Sequence, residues 1–309
     1  MEISAVVVSY NSENFLPRNL DSLQCQKLPC KEIVVVDNHS QDGSAAVVDR
    51  FPDVLHIRLD RNSGYGAAAN LGILRCTSDI IVVANADTFF PPEFNSQVDR
   101  FFRQRRDIDI VAPLLLRFDG QTVDSAGQTR SLSLYPREIG FNRKLDIASL
   151  HEQSCFSACG AVTVFSRAAL ERLRMADEFY DEDFFMFWED FDLGWRASAK
   201  GLEIRFTPEI QAFHFRSGTM KKSPLSRFSL ALCRSPELKY HLVKNRYLTL
   251  IKNFRWRRFG WAIPFIIGKD LVWVGALTLS APVIIIRLLK SGRIFKRATI
   301  KRKALRRHE

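Results

Sequence analysis

The chain is 309 residues long, 46% apolar and 26% charged. That balance excludes disorder, collagen-like repeats and small disulfide scaffolds, and leaves room for one large core or two modest ones. Its formal net charge of +11 is lopsided: residues 252 to 309 hold fifteen Lys and Arg against Asp270 and Glu309, a surplus of +13, so everything before them sums to −2. A nucleic-acid binder would spread such charge over its folded body, whereas here a near-neutral body carries a basic, partly apolar tail. Six cysteines (Cys25, Cys30, Cys76, Cys155, Cys159 and Cys233) form no CxxC pair and no zinc-type spacing with histidine. They are expected to be reduced thiols. Met1 and Glu2 open straight into a β-like run without the basic and apolar regions of a signal peptide, so the body is expected to stay in the cytoplasm.

The apolar run at residues 3 to 8 predicts a strand, and Phe15, Leu16, Leu20 and Leu23 share one face of a following helix. The pattern repeats: a strand at Ile33 to Val36, a helix near 43 to 50, a strand at Val54 to Leu59, a Gly/Ala helix near 66 to 76, and a strand at Ile80 to Val83. Continuous apolar strands alternating with helices imply an α/β fold, a mostly parallel central sheet with helices on both faces. Residues 114 to 154 read as loops and edge strands. A strand at Val162 to Phe165, a helix from Arg167 to Leu173, a strand at Glu203 to Phe206 and a helix from Pro236 to Asn253 follow.

Polar clusters sit directly after the strands: Ser9-Tyr10-Asn11, Asp37-Asn38, Asn62 and Asn85-Ala86-Asp87. Right-handed crossovers bring all four to the carboxyl edge of the sheet, where open α/β sheets bind ligands. Asp42 and Asp60 read as ordinary turn or cap residues. Gly64-Tyr65-Gly66-Ala67-Ala68-Ala69 satisfies a dinucleotide-binding pattern, yet it follows the third strand rather than the first, and close packing of helix on sheet explains it as well. Asp37 suits a base or ribose. Asn85-Ala86-Asp87 is a shortened acidic motif in which one carboxylate can hold a hard cation once a diphosphate supplies further oxygens.

Glu189, Asp190 and Asp192 place three carboxylates beside Phe187, Trp188, Phe191 and Trp195. A carboxylate partly desolvated by aromatic rings has the basicity to take a proton from a sugar hydroxyl, and the rings offer stacking surfaces. Asp192 and Arg196 are spaced for a helical ion pair, which gives Asp192 a structural role. His214 is open to three readings: a surface histidine, a metal ligand or a diphosphate contact.

Taken in order, these stretches resemble glycosyltransferase family 2, the inverting enzymes with the nucleotide-diphospho-sugar transferase (GT-A) fold. The similar segments are residues 6–11, 36–43, 62–72, 85–87, 124–127, 160–161 and 189–196. The nearest subgroup in appearance is the bacterial rhamnosyltransferases of polysaccharide assembly. The resemblance implies that Ser9, Tyr10, Asn11, Asp37, Asn38, Asn62, Gly64, Asn70 and Asn85 surround the nucleotide. It further implies that Asp87, with His214, binds a divalent Mg²⁺ or Mn²⁺, and that Asp190 is the base with Glu189 its competitor. Gly160, Ala161 and Trp188 would line the acceptor pocket. Asn85 stands where many relatives carry a first Asp, and Ala69 where some carry Arg. The implied organisation is a catalytic domain over 1–235, nucleotide half about 1–113 and acceptor half about 114–235, then a helical, basic, membrane-associating region over 236–309.

The implied partners are a dTDP-, UDP- or GDP-linked sugar donor and a glycan or polyprenyl-linked acceptor. The competing classes are an NAD-linked oxidoreductase and a non-catalytic sugar or nucleic-acid binding protein. In the tail, the apolar runs Phe259 to Gly268 and Leu271 to Ile286 are separated by Lys269-Asp270. The second, sixteen residues with Pro282 inside it, falls short of the ~20 residues of a comfortable span. One span would also export ten Lys and Arg against the positive-inside tendency. Interfacial or re-entrant helices on the anionic inner leaflet are expected, with no nucleic-acid partner and a peripheral location on the inner face of the cell membrane.

Overall fold

The computed structural model describes residues 1–216 and 235–306; Cys233 and the last three residues lie outside the described residues. Two compact units emerge. The first comprises Met1–Thr129, Glu138–Phe185 and the segment from Glu189 through the last strand; the second comprises Arg130–Arg137, Met186–Trp188 and the C-terminal helices.

In the first unit β1 (Ile3–Ser9), β2 (Glu32–Asp37), β3 (Val54–Arg58) and β4 (Ile80–Asn85) run parallel in the order β3-β2-β1-β4. β1, β2 and β4 are apolar and buried on both faces, as interior parallel strands require, whereas β3 lies at the edge and is partly exposed, with Leu55 and Arg58 facing solvent. Helices α1 (Leu16–Gln24), α2 (Ser44–Val48) and α3 (Tyr65–Arg75) supply the crossovers. The chain continues through β5 (Thr88–Phe89), α4 (Phe94–Gln104), β6 (Ile110–Leu116) and β7 (Val123–Ser125). Short strands β8 (Gln128–Arg130) and β9 (Pro136–Glu138) form a separate ribbon. After β10 (Gln153–Ser154), β11 (Val162–Ser166) enters antiparallel between β4 and β6, and β12 (Ile204–His214) lies parallel to β6. Between them are α5 (Arg167–Leu173) and α6 (Glu189–Ala199).

The expected strand at Glu203 to Phe206 is only the first part of β12. Pro208 interrupts the β signal, and the sheet absorbs it in an irregularity between Thr207 and Gln211, after which the strand runs on to His214. The glycines of α3 follow the packing explanation. A Cβ on Gly72 would lie 2.3 Å from Val6 Cγ1, and one on Gly66 would lie 3.3 Å from Tyr180 Cβ.

In the second unit, α7 (Pro236–Asn253), α8 (Trp256–Phe259), α9 (Ile263–Ser280), α10 (Val283–Lys290) and α11 (Gly292–Arg306) follow one another. Arg302 donates to the carbonyls of Ile251 and Phe254, both at 2.8 Å, and so satisfies the end of α7. Lys269-Asp270 does not break the helix: α9 runs through it and joins residues 263–268 to the first part of the second apolar run, which Pro282 then divides, leaving residues 283–286 in α10. Asp270 pairs with Arg246 at 2.6 Å, and the Lys269 ammonium lies 3.7 Å over the Tyr135 ring, so neither charge has to break the helix to reach water. The stretch Trp256–Leu277 is consequently long and apolar enough to cross a membrane by length and composition, with a mean hydropathy of 1.3. Most of it is exposed.

Helix α6 is anchored by the pair its spacing predicts. Arg196 Nε donates to Asp192 Oδ2 at 3.1 Å, both side chains are fully buried, and the guanidinium also donates to the carbonyls of Leu173 and Phe179. Breaking such a pair strands a buried cation. Asp192→Ala is expected to destabilise the protein by about 3–5 kcal/mol, read as a shifted midpoint in urea unfolding.

Candidate active site

The carboxyl edge of the sheet gathers the polar clusters. Pairing sets Ser9 opposite Asp37 and Val8 opposite Asn85, so the ends of β2, β1 and β4 are neighbours at one edge. Asp37 is buried; its Oδ1 accepts the Ser40 N–H at 2.9 Å. Its Oδ2 takes no hydrogen bond and lies 3.8 Å from Arg58 Nε. Ser9 Oγ is likewise buried with no partner among the described residues, and the next side chain, Tyr10, is half exposed. Orphaned buried oxygens beside an exposed ring mark a place where a ligand's donors can be received.

The remaining expected nucleotide residues divide differently. Asn38 donates to Asn62 Oδ1 at 3.1 Å and accepts the Ser63 N–H at 2.8 Å, while Asn62 Oδ1 also accepts the Gly64 N–H. These amides shape the loop into α3. Asn11 bridges to the Gln41 N–H, and Gly64 adopts a φ of 89°, which favours glycine. Asn70 is buried and spends both ends of its amide on Phe179, Tyr180 and Glu182, at 2.7–3.1 Å. Its side chain holds the chain that leads to the acidic segment.

Asp87 follows β4 on a turn fixed by Asn19, whose amide donates to the Thr88 carbonyl at 2.8 Å. Strand β12 pairs with β5 so that His214 lies opposite Thr88, which brings His214 Nε2 to 3.3 Å from Asp87 Oδ1. Its Nδ1 meets Asp124 Oδ2 at 2.8 Å. Burial opposes a charged imidazole, but the hydrogen bonds to Asp124 and Asp87 outweigh it and raise the pKa to about 9. Asp124 also receives Arg216 on its other oxygen, and burial pushing its pKa up is overcome by His214 and Arg216, leaving it lowered. Among the described residues no group of three His, Cys, Asp or Glu side chains is arranged to hold a metal ion by itself. Asp87 offers one carboxylate to a divalent cation that a diphosphate would complete, and His214, oriented through Nδ1 by Asp124, can join it only by giving up the proton that its Nε2 now shares with Asp87.

Asp190 sits at the second position of α6. Its Oδ2 accepts the Gly160 N–H at 2.8 Å and Gln128 Nε2 at 2.9 Å, and its Oδ1 accepts the Phe191 N–H at 2.7 Å. Burial raises its pKa above the ordinary value despite these bonds. Tyr65 donates to the Gly160 carbonyl at 2.9 Å, and the Ala161 carbonyl accepts the Asn85 N–H, so the small residues tie Asp190 to the end of β4. Glu189 is buried beside it in the first turn. Trp188 belongs to the second unit, where its ring meets Tyr135 edge-on at 4.7 Å. Phe187 and Trp188 hold positive φ of 63° and 74°, and Asn245 donates to the carbonyls of Met186 and Phe187 at 2.6 and 2.8 Å.

Sequence reasoning missed Asn19, Gln128, Glu138 and Arg216. Asp124 appeared only as part of a turn resembling the family. No local spacing signals partners 62 to 92 residues apart.

A family model described as "Glycosyl transferase family 2" matches residues 4–174. The N-acetylglucosaminyl-diphospho-decaprenol L-rhamnosyltransferase of Mycobacterium tuberculosis is 26% identical over 251 residues, covering 74% of this chain and 80% of the relative. Among solved structures, S. aureus TarS with UDP-GlcNAc superposes with a TM-score of 0.60 at 17% identity, over 96% of this chain and 79% of that one. The mannosyltransferase PcManGT from Pyrobaculum calidifontis, with GDP-Man and Mn²⁺, gives 0.56 at 16% identity, over 98% and 84%. The strand order and the carboxyl-edge site thus have the GT-A fold as their setting, and with a family match over more than half its length the chain belongs to glycosyltransferase family 2.

Proposed function

We propose that this glycosyltransferase inverts the anomeric centre of a nucleoside-diphosphate sugar, rhamnose in the first instance, and delivers it to a hydroxyl of a glycan or polyprenyl-linked acceptor in cell-surface polysaccharide synthesis. The observation that carries this is the pairing, on one sheet edge, of a desolvated carboxylate held by neutral donors with an Asp–His pair suited to a diphosphate-bound cation. The rhamnosyl choice and the lipid-linked acceptor rest on the mycobacterial relative. The wider organisation follows: residues 1–113 hold the nucleotide, 114–235 the acceptor, and 236–309 the membrane.

Ser9, Tyr10 and Asp37 receive the nucleoside. Asp87 and His214 would hold Mg²⁺ or Mn²⁺, which when bound neutralises charge on the leaving diphosphate. Asp190 takes the proton of the acceptor hydroxyl as its oxygen bonds to the anomeric carbon; the bond to the diphosphate breaks with its electron pair leaving on the nucleotide. A single displacement needs one base and inverts the centre.

Nucleotide release from a panel of dTDP-, UDP- and GDP-sugars, with and without Mn²⁺ or Mg²⁺, tests the assignment; dTDP-rhamnose turnover that chelator abolishes is expected. NAD binding without sugar-nucleotide turnover would overturn it. Asp190→Asn is expected to keep donor binding, measured calorimetrically, and to lower turnover by about 10²–10⁴-fold. Because the carboxylate is the reactive form and burial lifts its pKa, the rate falls as pH drops through that raised value. The acid limb of kcat/KM is therefore expected above the 3.8 of an unperturbed aspartate.

The exposed apolar side chains of α8 and α9, including Trp256, Phe265, Ile267 and Leu271, together with the basic α11, support docking on an anionic inner leaflet. Reversing the exposed Arg293, Lys296 and Lys303 to Glu is expected to release the protein from anionic vesicles in a sedimentation assay, since each contributes about 1 kcal/mol at such a surface.

A further inference from the structure

Gln128 opens β8 and is buried. Its Nε2 donates to Asp190 Oδ2 at 2.9 Å and to Glu138 Oε1 at 3.0 Å, so both hydrogens of one amide nitrogen are aimed at carboxyl groups. The opposite orientation would turn the amide oxygen toward the same two carboxyls, which fixes the assignment by charge. Its Oε1 is buried and has no hydrogen-bond partner among the described residues. Such an orphan needs a reason, and the reason lies at the nitrogen.

We propose that Gln128 is a positioning residue for sugar transfer, orienting the Asp190 carboxylate so that Oδ1 is the oxygen that takes the acceptor's proton. This rests on the reading of Asp190 as the base. Oδ2 already accepts two hydrogen bonds, from Gly160 and Gln128, and its lone pairs are filled. Oδ1 accepts the Phe191 N–H, and among the described residues no side chain donates to it, so it is the less committed oxygen and the one open to the incoming proton. Glu138, bonded to Ser125 Oγ on its other oxygen, lies across the same amide. Without Gln128 the Asp190 carboxyl group keeps the Gly160 and Phe191 N–H groups but loses the side-chain donor that separates it from Glu138, whose Oε1 then has, among the described residues, only the Arg216 guanidinium, 4.0 Å away, to offset it. Loss of a donor to the charged form also favours the protonated form, which moves the acid limb of the rate to higher pH.

The test is Gln128→Met, which keeps length and loses both donors, beside Gln128→Asn, which shortens the amide out of reach of Asp190. Steady-state kinetics across pH with the accepted donor sugar give kcat, donor KM and the acid limb, and thermal unfolding reports folding. Both variants are expected to lose kcat by roughly 10- to 100-fold, the range of a hydrogen bond to a charged group. Donor KM stays unchanged and the acid limb moves upward. If Gln128→Met does not fold, Gln128→Asn carries the test. Normal kcat with an unshifted limb in the folded variants, or a loss confined to donor KM, overturns the proposal. Asp190→Asn measured in parallel separates the two failures. Full turnover in that variant overturns the base and with it the role of Gln128, whereas an inactive Asp190→Asn beside normal Gln128 variants overturns Gln128 alone.

Discussion

The antiparallel insertion of β11 between β4 and β6 brings the start of that strand to the edge at which the parallel strands finish. Gly160 and Ala161 therefore arrive beside Asn85, and the Gly160 N–H points at the Asp190 carboxylate. A parallel β11 would have delivered its far end, Ser166, instead. The next crossover then returns through β12, parallel to β6, so that its last residue, His214, reaches the same edge. One reversal of strand direction thus lets residues separated by most of the chain share a site, and the small side chain at 160 is part of the arrangement. A Cβ there would stand 3.3 Å from Asp190 Oδ2.

The carboxylates on this edge are differentiated by what solvates them. Asp124 is deeply buried but faces His214 and Arg216, and its pKa ends lower than usual. Asp190 is met by neutral donors alone, a peptide N–H on either side and an amide, and its pKa ends higher. Full charges would have made Asp190 a poor base, and no donors at all would have left it protonated. Neutral dipoles give an intermediate basicity, which suits the role of base proposed for Asp190. Glu138, raised by burial, stands between the two groups and is bonded to Ser125 and Gln128.

The parallel half of the sheet was legible because its signals are local: apolar runs, polar residues directly after them, and a glycine-rich helix in the third crossover. Asp192 and Arg196 were legible for the same reason, being one helical turn apart. Asp124 with His214, and Gln128 with Asp190, were not, because each contact joins elements whose adjacency is decided by strand order. Asn70 looked like a ligand residue in sequence, yet its amide closes on Phe179 and Tyr180, a use that only the packed chain reveals. Pro208 and the Lys269-Asp270 dipeptide misled in the opposite direction. Each is a local breaker, one absorbed by an irregular strand and the other by pairing within the C-terminal unit.

That pairing bears on how the surplus of positive charge is to be understood. Arg246 is occupied by Asp270 and the Ser133 carbonyl, Lys269 by the Tyr135 ring, and Arg302 by the carbonyl end of α7. These cations hold the unit together and have little to offer an external anion. Arg293, Lys296 and Lys303 are exposed on α11, a helix with no acidic residue along its length. Charge that the fold does not consume remains available to a polyanionic surface, and the exposed apolar side chains of α8 and α9 belong to the same unit. The bilayer proposed as its partner would answer both at once, taking apolar side chains and exchanging the counterions of the basic ones, whereas a nucleic acid would answer only the second.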